Sequence, residues 1–139
     1  MARTTFNGPV TSQNGFIDGH QVSTANAINA TATATAAQVA AGYITSTSAA
    51  ATTITLPTGT ALGSAIGATK GTVLDLFIDN TAGANTVTIA VNTNAILSTA
   101  ATDTAGSFGD LTVASGATGV ARYTIMFSSA TAYVFTRTA

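Results

Sequence analysis

The most informative stretch of the chain is Gly71-Thr-Val-Leu-Asp-Leu-Phe-Ile-Asp-Asn-Thr-Ala-Gly-Ala-Asn-Thr-Val-Thr-Ile-Ala-Val91. Residues 73–78 are almost continuously apolar, which indicates a strand that is covered on both faces. Residues 79–85 are rich in turn formers, and Gly83 can take a positive φ without steric cost. In residues 86–91, Val and Ile alternate with Thr and Ala, which is typical of a strand with one face on a core. The stretch therefore predicts a β-hairpin around which the other strands pack.

Charged residues are unusually scarce in this sequence. They make up 6% of the chain, against about 25% in a typical domain. The formal net charge is -1 and the mean hydropathy is +0.41, so a free monomer would have little charge repulsion to prevent association. Two explanations remain open: a Thr-rich β domain, or a protein whose surface is largely covered by neighbouring copies or by a larger assembly. We favour the second, because the mean hydropathy points the same way.

Composition disfavours several classes of protein. Four basic residues spread over 139 positions form no electrostatic footprint for nucleic acid. The sequence contains no run of about 18 apolar residues, so we expect no membrane-spanning helix. Residues 1–5 do not begin an apolar secretory signal, so we expect no export by that route. The chain has no cysteine, which leaves neither a disulfide nor a thiolate metal site.

The residues that usually carry acid–base catalysis are too few and too dispersed for an active site. His20 is the only histidine, and the chain has no glutamate. We therefore expect no enzyme activity, no catalytic residues and no cofactor. Asp75, Asp79, Asp103 and Asp110 are the right residue type to gather around calcium, but their spacing is not that of an EF-hand. Solvated acids are the ordinary explanation, and we expect no metal site.

Residues 1–20 are predicted to form an N-terminal arm, and residues 21–139 to form one β-sandwich domain. Gly and Pro are dense in the arm and disfavour a long helix or a central strand there. Fully extended, 20 residues span roughly 65 Å, which exceeds the width of a small domain. The arm either folds back on its own core or docks on a neighbour. Its candidate partner contacts are Arg3, Phe6, Val10, Phe16 and Ile17.

The remaining chain reads as short strands with one or two helical turns. Thr35 is expected to cap a short helix that stops at Gly42, and Thr58 to cap a second helix. A closing hairpin is predicted from residues 120–127 and 132–137, with Tyr, Ile and Phe alternating onto one face. About eight short strands with frequent turn signals indicate an all-β fold, and the best single prediction is a jelly-roll-like antiparallel β-sandwich.

Several segments resemble small head decoration proteins of tailed bacteriophages. The segments that carry the resemblance are 2–16, 35–44, 53–58, 78–89 and 117–125. The resemblance covers most of the chain, but its pieces are low in complexity. It implies a β-sandwich protein, often trimeric, that sits on an icosahedral shell, and it supplies no catalytic residues. Similar sequences also occur in tail and fibre proteins.

The function expected from these observations is structural. The chain is expected to bind the outer surface of a phage capsid and to stabilise it, on the exterior of a virion assembled in the host cytoplasm. The implied partners are the major capsid protein and copies of the chain itself in a homotrimer. The alternative is a receptor- or glycan-binding module of a tail or fibre. The absence of Trp and the presence of only 3 Tyr weaken that alternative, since sugar sites usually need exposed aromatic residues.

Overall fold

The computed structural model describes residues 26–97 and 111–139. Within them the chain forms nine strands in two sheets and two short α-helices, which confirms the prediction of a mainly-β fold with few helical turns. The predicted arm lies outside the described residues, as do His20, Asp103 and Asp110.

The elements follow one another with short connections. They are β1 (Ala32–Thr33), α1 (Ala36–Ala40), β2 (Tyr43–Thr45), β3 (Thr52–Thr55), α2 (Gly59–Ile66), β4 (Val73–Asp79), β5 (Val87–Ala90), β6 (Ala95–Leu97), β7 (Thr112–Val113), β8 (Val120–Ser129) and β9 (Ala132–Arg137). One sheet has four strands in the order β1-β3-β5-β7, and the other has five in the order β2-β4-β8-β9-β6.

The two strands predicted in Gly71–Val91 exist, but the predicted hairpin is wrong. β4 belongs to the five-stranded sheet and β5 to the four-stranded sheet. The side chain of Asn80, which directly follows β4, is fully buried, and its Nδ2 donates to the carbonyl oxygens of Asn85, Val113 and Ala114 at 2.8, 3.2 and 3.0 Å. These bonds tie the turn to the region of β7. The chain therefore crosses from one sheet to the other where the sequence pattern suggested a tight reversal.

Successive strands alternate between the sheets from β1 to β8, and β9 joins the same sheet as β8. β1, β3 and β5 pair in parallel in one sheet, and β2 pairs in parallel with β4 in the other. The antiparallel pairs are β4 with β8, β5 with β7, and β8 with β9. β6 pairs in parallel with β9. Four of the seven pairings between the described strands are thus parallel, where an antiparallel sandwich was expected. A jelly-roll arrangement is not confirmed.

One hydrophobic core is formed by buried residues from both sheets and both helices. Tyr123, Ile125 and Phe127 of β8 are buried on one face, as the alternation in the closing hairpin predicts. The rings of Phe127 and Tyr133 lie 5.4 Å apart, and the Tyr133 hydroxyl donates to the carbonyl oxygen of Pro57 at 2.7 Å. Burying each such side chain contributes about 1.5–3 kcal/mol. The hydroxyl bond also anchors the segment that leads into α2.

Local capping signals place both helices correctly. Thr35 accepts from the backbone of Gln38, and the Gln38 side chain accepts from the backbone of Thr35, which completes a capping box. The stop at Gly42 is confirmed by its φ of 76°. Thr58 caps α2 by accepting from Ala61 N at 3.2 Å. In both caps, the side chain that accepts the hydrogen bond lies three residues from the helix N–H group that donates it. The sequence therefore suffices to predict them.

Candidate interaction surface

The outward side of the five-stranded sheet carries a group of exposed large apolar residues, here called the outer face. Five of the six exposed large apolar side chains among the described residues belong to it, and the sixth is Val91. The five are Tyr43 (38% exposed), Val73 (58%), Phe77 (40%), Val120 (48%) and Met126 (48%). Strand register places Tyr43 beside Phe77, and Val73 beside Met126. The outer face therefore carries exposed apolar side chains on three neighbouring strands, and the polar residues Asp75, Arg122 and Thr124 lie between its two apolar pairs.

The strand pattern explains how these residues reach the surface. In β4, Leu76 and Ile78 point into the core, so Val73 and Phe77 must point outward. The sequence pattern of residues 73–78 predicted a strand covered on both faces. The structure shows only the inward side covered by the described residues. β4 thus has the composition of a doubly covered strand but exposes one apolar side.

The other sheet lacks such a surface. Its alternation buries Ile54, Val87 and Ile89, and its outward positions on β3 and β5 are small or hydroxylated. Those outward residues are Thr53, Thr55, Thr88 and Ala90. Among the described side chains, every exposed large apolar residue except Val91, which directly follows β5, therefore lies on the five-stranded sheet. Groups of exposed large apolar side chains commonly mark interaction sites.

A compensated charge pair lies at the centre of the outer face. Arg122 Nη2 lies 2.8 Å from Asp75 Oδ2, and Thr124 Oγ1 donates to Asp75 Oδ1 at 2.8 Å. The guanidinium of Arg122 also lies 6.0 Å from the centre of the Phe77 ring. Desolvation tends to raise the pKa of Asp75, but the hydrogen bonds from Thr124 and Arg122 and the Arg122 charge outweigh it and hold that pKa below its usual value. The pair carries no net charge, so it adds polarity to the face without a strong electrostatic preference for a partner.

Tyr43 is held in place at the β2 end of the outer face. Its hydroxyl donates to Asp79 Oδ2, and Asp79 Oδ1 accepts from the backbone N and the hydroxyl of Thr81 at 2.9 and 2.7 Å. The side-chain hydrogen bond from Thr81, then that from Tyr43 and the Thr81 backbone bond, lower the pKa of Asp79. The same bond to Asp79 raises the pKa of Tyr43. The ring of Tyr43 is therefore oriented before any partner arrives.

The predicted contact residues and the observed surface differ. Arg3, Phe6, Val10, Phe16 and Ile17 all lie outside the described residues, so their predicted role stays a prediction. Sequence reasoning assigned no role to the outer face. The available signal was the apolar run in β4, which has more apolar residues than one buried face requires.

The described residues provide no evidence for other kinds of site. Among them, no group of three or more His, Asp or Glu side chains is arranged to hold a metal ion. Asp75 and Asp79, the two described members of the calcium hypothesis, instead bond to the protein groups named above. Helices α1 and α2 have 5 and 8 residues, and no described helix meets the length and hydropathy requirements of a membrane span.

Comparisons with known proteins identify no relative. No protein-family model matches the chain, and neither the curated proteins nor the solved structures contain a match. A functional conclusion therefore depends on the residues and the geometry.

Proposed function

We propose that this chain is a structural virion protein that binds the outer surface of a tailed-phage capsid and stabilises it. The observation that carries the proposal is the outer face, where large apolar side chains are exposed on β2, β4 and β8 and where the sequence of β4 is typical of a strand covered on both sides. The resemblance of the sequence to head decoration proteins supports the choice of a capsid as the partner. The proposal needs one face of one sheet, and it does not depend on the finer assignment of the fold to a jelly roll.

Assembly on a repeating shell suits the physical properties of this surface. Its apolar side chains provide binding energy that does not depend on charge, which is scarce in the chain. We also propose that the chain forms a homotrimer. Once one subunit of a trimer is bound, each further contact with the shell forms at high effective concentration. Individually weak contacts can then hold the protein firmly on the major capsid protein.

The test is binding to capsids purified from the virus whose genome carries this sequence, after removal of the native protein. The informative variant replaces Phe77 and Met126 with Thr, which keeps β-propensity but removes most of the apolar area. Losing about 3 kcal/mol of burial lowers affinity roughly 100-fold. The matched control, Thr53→Ser with Thr88→Ser, changes the outward side of the other sheet and leaves affinity unchanged. Failure of the unaltered protein to bind any virion component overturns the proposal.

The proposed arm contact needs a separate variant. Deleting residues 1–19 removes Arg3, Phe6, Val10, Phe16 and Ile17 together. If the arm contacts the shell, this deletion lowers the number of bound copies per capsid, measured by quantitative mass spectrometry. Unchanged binding shows that the arm is not a contact.

One observation favours a second function, glycan binding on a tail or fibre. Tyr43 and Phe77 are adjacent, partly exposed aromatic residues beside the Asp79 carboxylate, and sugar sites commonly combine these groups. Binding on a glycan array that is lost in Tyr43→Ala, together with no binding to capsids, would replace the capsid proposal with this one. An array without hits removes it.

A further inference from the structure

The outer face is exposed in the described residues, although the free chain has little charge to keep such surfaces apart. Exposed large apolar side chains grouped on one face of a protein of net charge -1 favour self-association. A segment of the same chain that covers the face would reduce this self-association when no partner is bound. The position at which the described chain begins identifies a candidate.

The described chain starts at the β2 edge of the five-stranded sheet. Ala27 pairs in parallel with Thr45, and Ile28 N donates to Thr45 O at 2.9 Å. The same two-residue repeat would bring Asn26 N to the carbonyl oxygen of Tyr43. The side chain of Asn26 binds that carbonyl instead, with Nδ2 at 3.3 Å. This side-chain bond places Asn26 next to Tyr43 and therefore next to the outer face.

The preceding chain is long enough to cover the face. Ile17 precedes Asn26 by nine residues, which span up to roughly 30 Å. The sheet order places β9 three strands from β2, a distance of about 14 Å at ordinary strand spacing. Phe16 and Ile17 can therefore reach every exposed residue of the face, with length to spare for a turn at the sheet edge.

We propose that, in the free chain, the arm folds back over the outer face and that Phe16 and Ile17 cover Tyr43 and Phe77. The arm supplies apolar side chains within reach of an apolar surface that the described residues leave open. The occupant is thus a segment of the same chain. The proposal concerns the protein without its shell and does not require the proposed function; a shell that binds the face would have to displace the arm.

The absence of cysteine from the chain makes a cross-linking test clean. One variant combines Ile17→Cys with Met126→Cys on the outer face, and a comparison variant combines Ile17→Cys with Thr88→Cys on the outward side of the other sheet. A short thiol-reactive cross-linker is added to the free protein at low concentration. The tether alone gives each pair some effective concentration, so the contribution of docking is also measured by how strongly the Met126 rate depends on Phe16. Docking makes the Met126 pair react at least about tenfold faster, the ratio that one buried apolar side chain supports.

A further variant isolates the apolar anchor. Phe16→Ser in the first pair keeps the tether, both thiols and the folded domain, but it removes the covering side chain that Ile17→Cys leaves in place. The reaction rate then falls towards that of the Thr88 pair. Mixing isotope-labelled with unlabelled protein separates links within one chain from links between chains. Equal rates at the two faces, insensitivity to Phe16→Ser, or links that form only between chains each overturn the proposal. Because no capsid is present, none of these outcomes bears on capsid binding.

Discussion

Replacing Asn80 with Asp removes a buried hydrogen-bond donor while the shape of the side chain is kept. Asn80 is 0% exposed, and its Nδ2 donates to three backbone carbonyls. In Asn80→Asp, an oxygen takes the place of this nitrogen and faces those carbonyl oxygens. The substitution therefore tests whether this amide holds the crossing between the two sheets.

The size of the effect follows from the number of bonds lost. The amide nitrogen of Asn80 carries two hydrogens and contacts three carbonyl oxygens. The three contacts therefore amount to two hydrogen bonds, one of which is shared between two carbonyl oxygens. Leaving a buried acceptor unsatisfied costs about 1–3 kcal/mol, which predicts a loss of about 4 kcal/mol in the free energy of unfolding at pH 7. The introduced carboxyl is buried among carbonyl oxygens, which raises its pKa in the folded state. Its neutral form can donate one bond, so the loss is smaller at pH 4 and grows as the pH rises through that raised pKa.

Urea denaturation followed by circular dichroism at pH 4 and pH 7 measures both effects. The matched control is Asn85→Asp, because Asn85 is exposed and its Nδ2 makes one 3.2 Å bond to Ala49 O. The control is expected to lose less than about 1 kcal/mol. The reasoning is refuted if Asn80→Asp is as stable as Asn85→Asp, or if its deficit relative to the unaltered chain is larger at pH 4 than at pH 7.

Three further variants test other parts of the structure. A Cβ on Gly63 would lie 2.0 Å from the carbonyl oxygen of Ala130, so we expect Gly63→Ala to destabilise the protein by about 1–3 kcal/mol despite the better helix propensity of Ala. The control is Ser64→Ala at an exposed position of the same helix, and equal urea midpoints for the two variants would contradict the packing argument. Tyr133→Phe leaves the carbonyl of Pro57 without its 2.7 Å donor and is expected to cost about 1–2 kcal/mol in thermal unfolding; Tyr43→Phe, whose ring is partly exposed, should change stability by less than about 0.5 kcal/mol. The pKa of Asp75 and that of Asp79 are lowered in the fold, so their contribution is present above pH 4 and is lost as the pH falls through the lowered values. The double variant Asp75→Asn with Asp79→Asn should therefore be less stable than the unaltered protein at pH 7, by no more than about 1 kcal/mol per residue. A difference in the free energy of unfolding that persists at pH 2 would show that the charges are not its cause.

Much of the local structure was predictable, because it depends on neighbouring residues. The two helices begin at Thr35 and Thr58, whose side chains satisfy backbone groups three residues away. The closing strands β8 and β9 alternate apolar and polar residues and are joined by a short turn, so their pairing and their buried face were both correct. The predicted arm contacts stay predictions, since they lie outside the described residues.

The sequence by itself determined the mainly-β class, the helix caps, the closing hairpin and the scarcity of charge. Only the tertiary structure decided which strands pair and which sheet each strand joins. Paired residues of β3 and β5 are 35 positions apart in the sequence. No local pattern predicts such a pairing, because alternation specifies which side of a strand is buried but not which strand it pairs with. The connection after β4 shows the same limit: its turn formers permit a hairpin, and the hydrogen bonds of Asn80 to residues 113 and 114, over 30 positions away, hold the crossing instead. The outer face exists for the same physical reason, since the side of β4 left uncovered depends on how the two sheets pack.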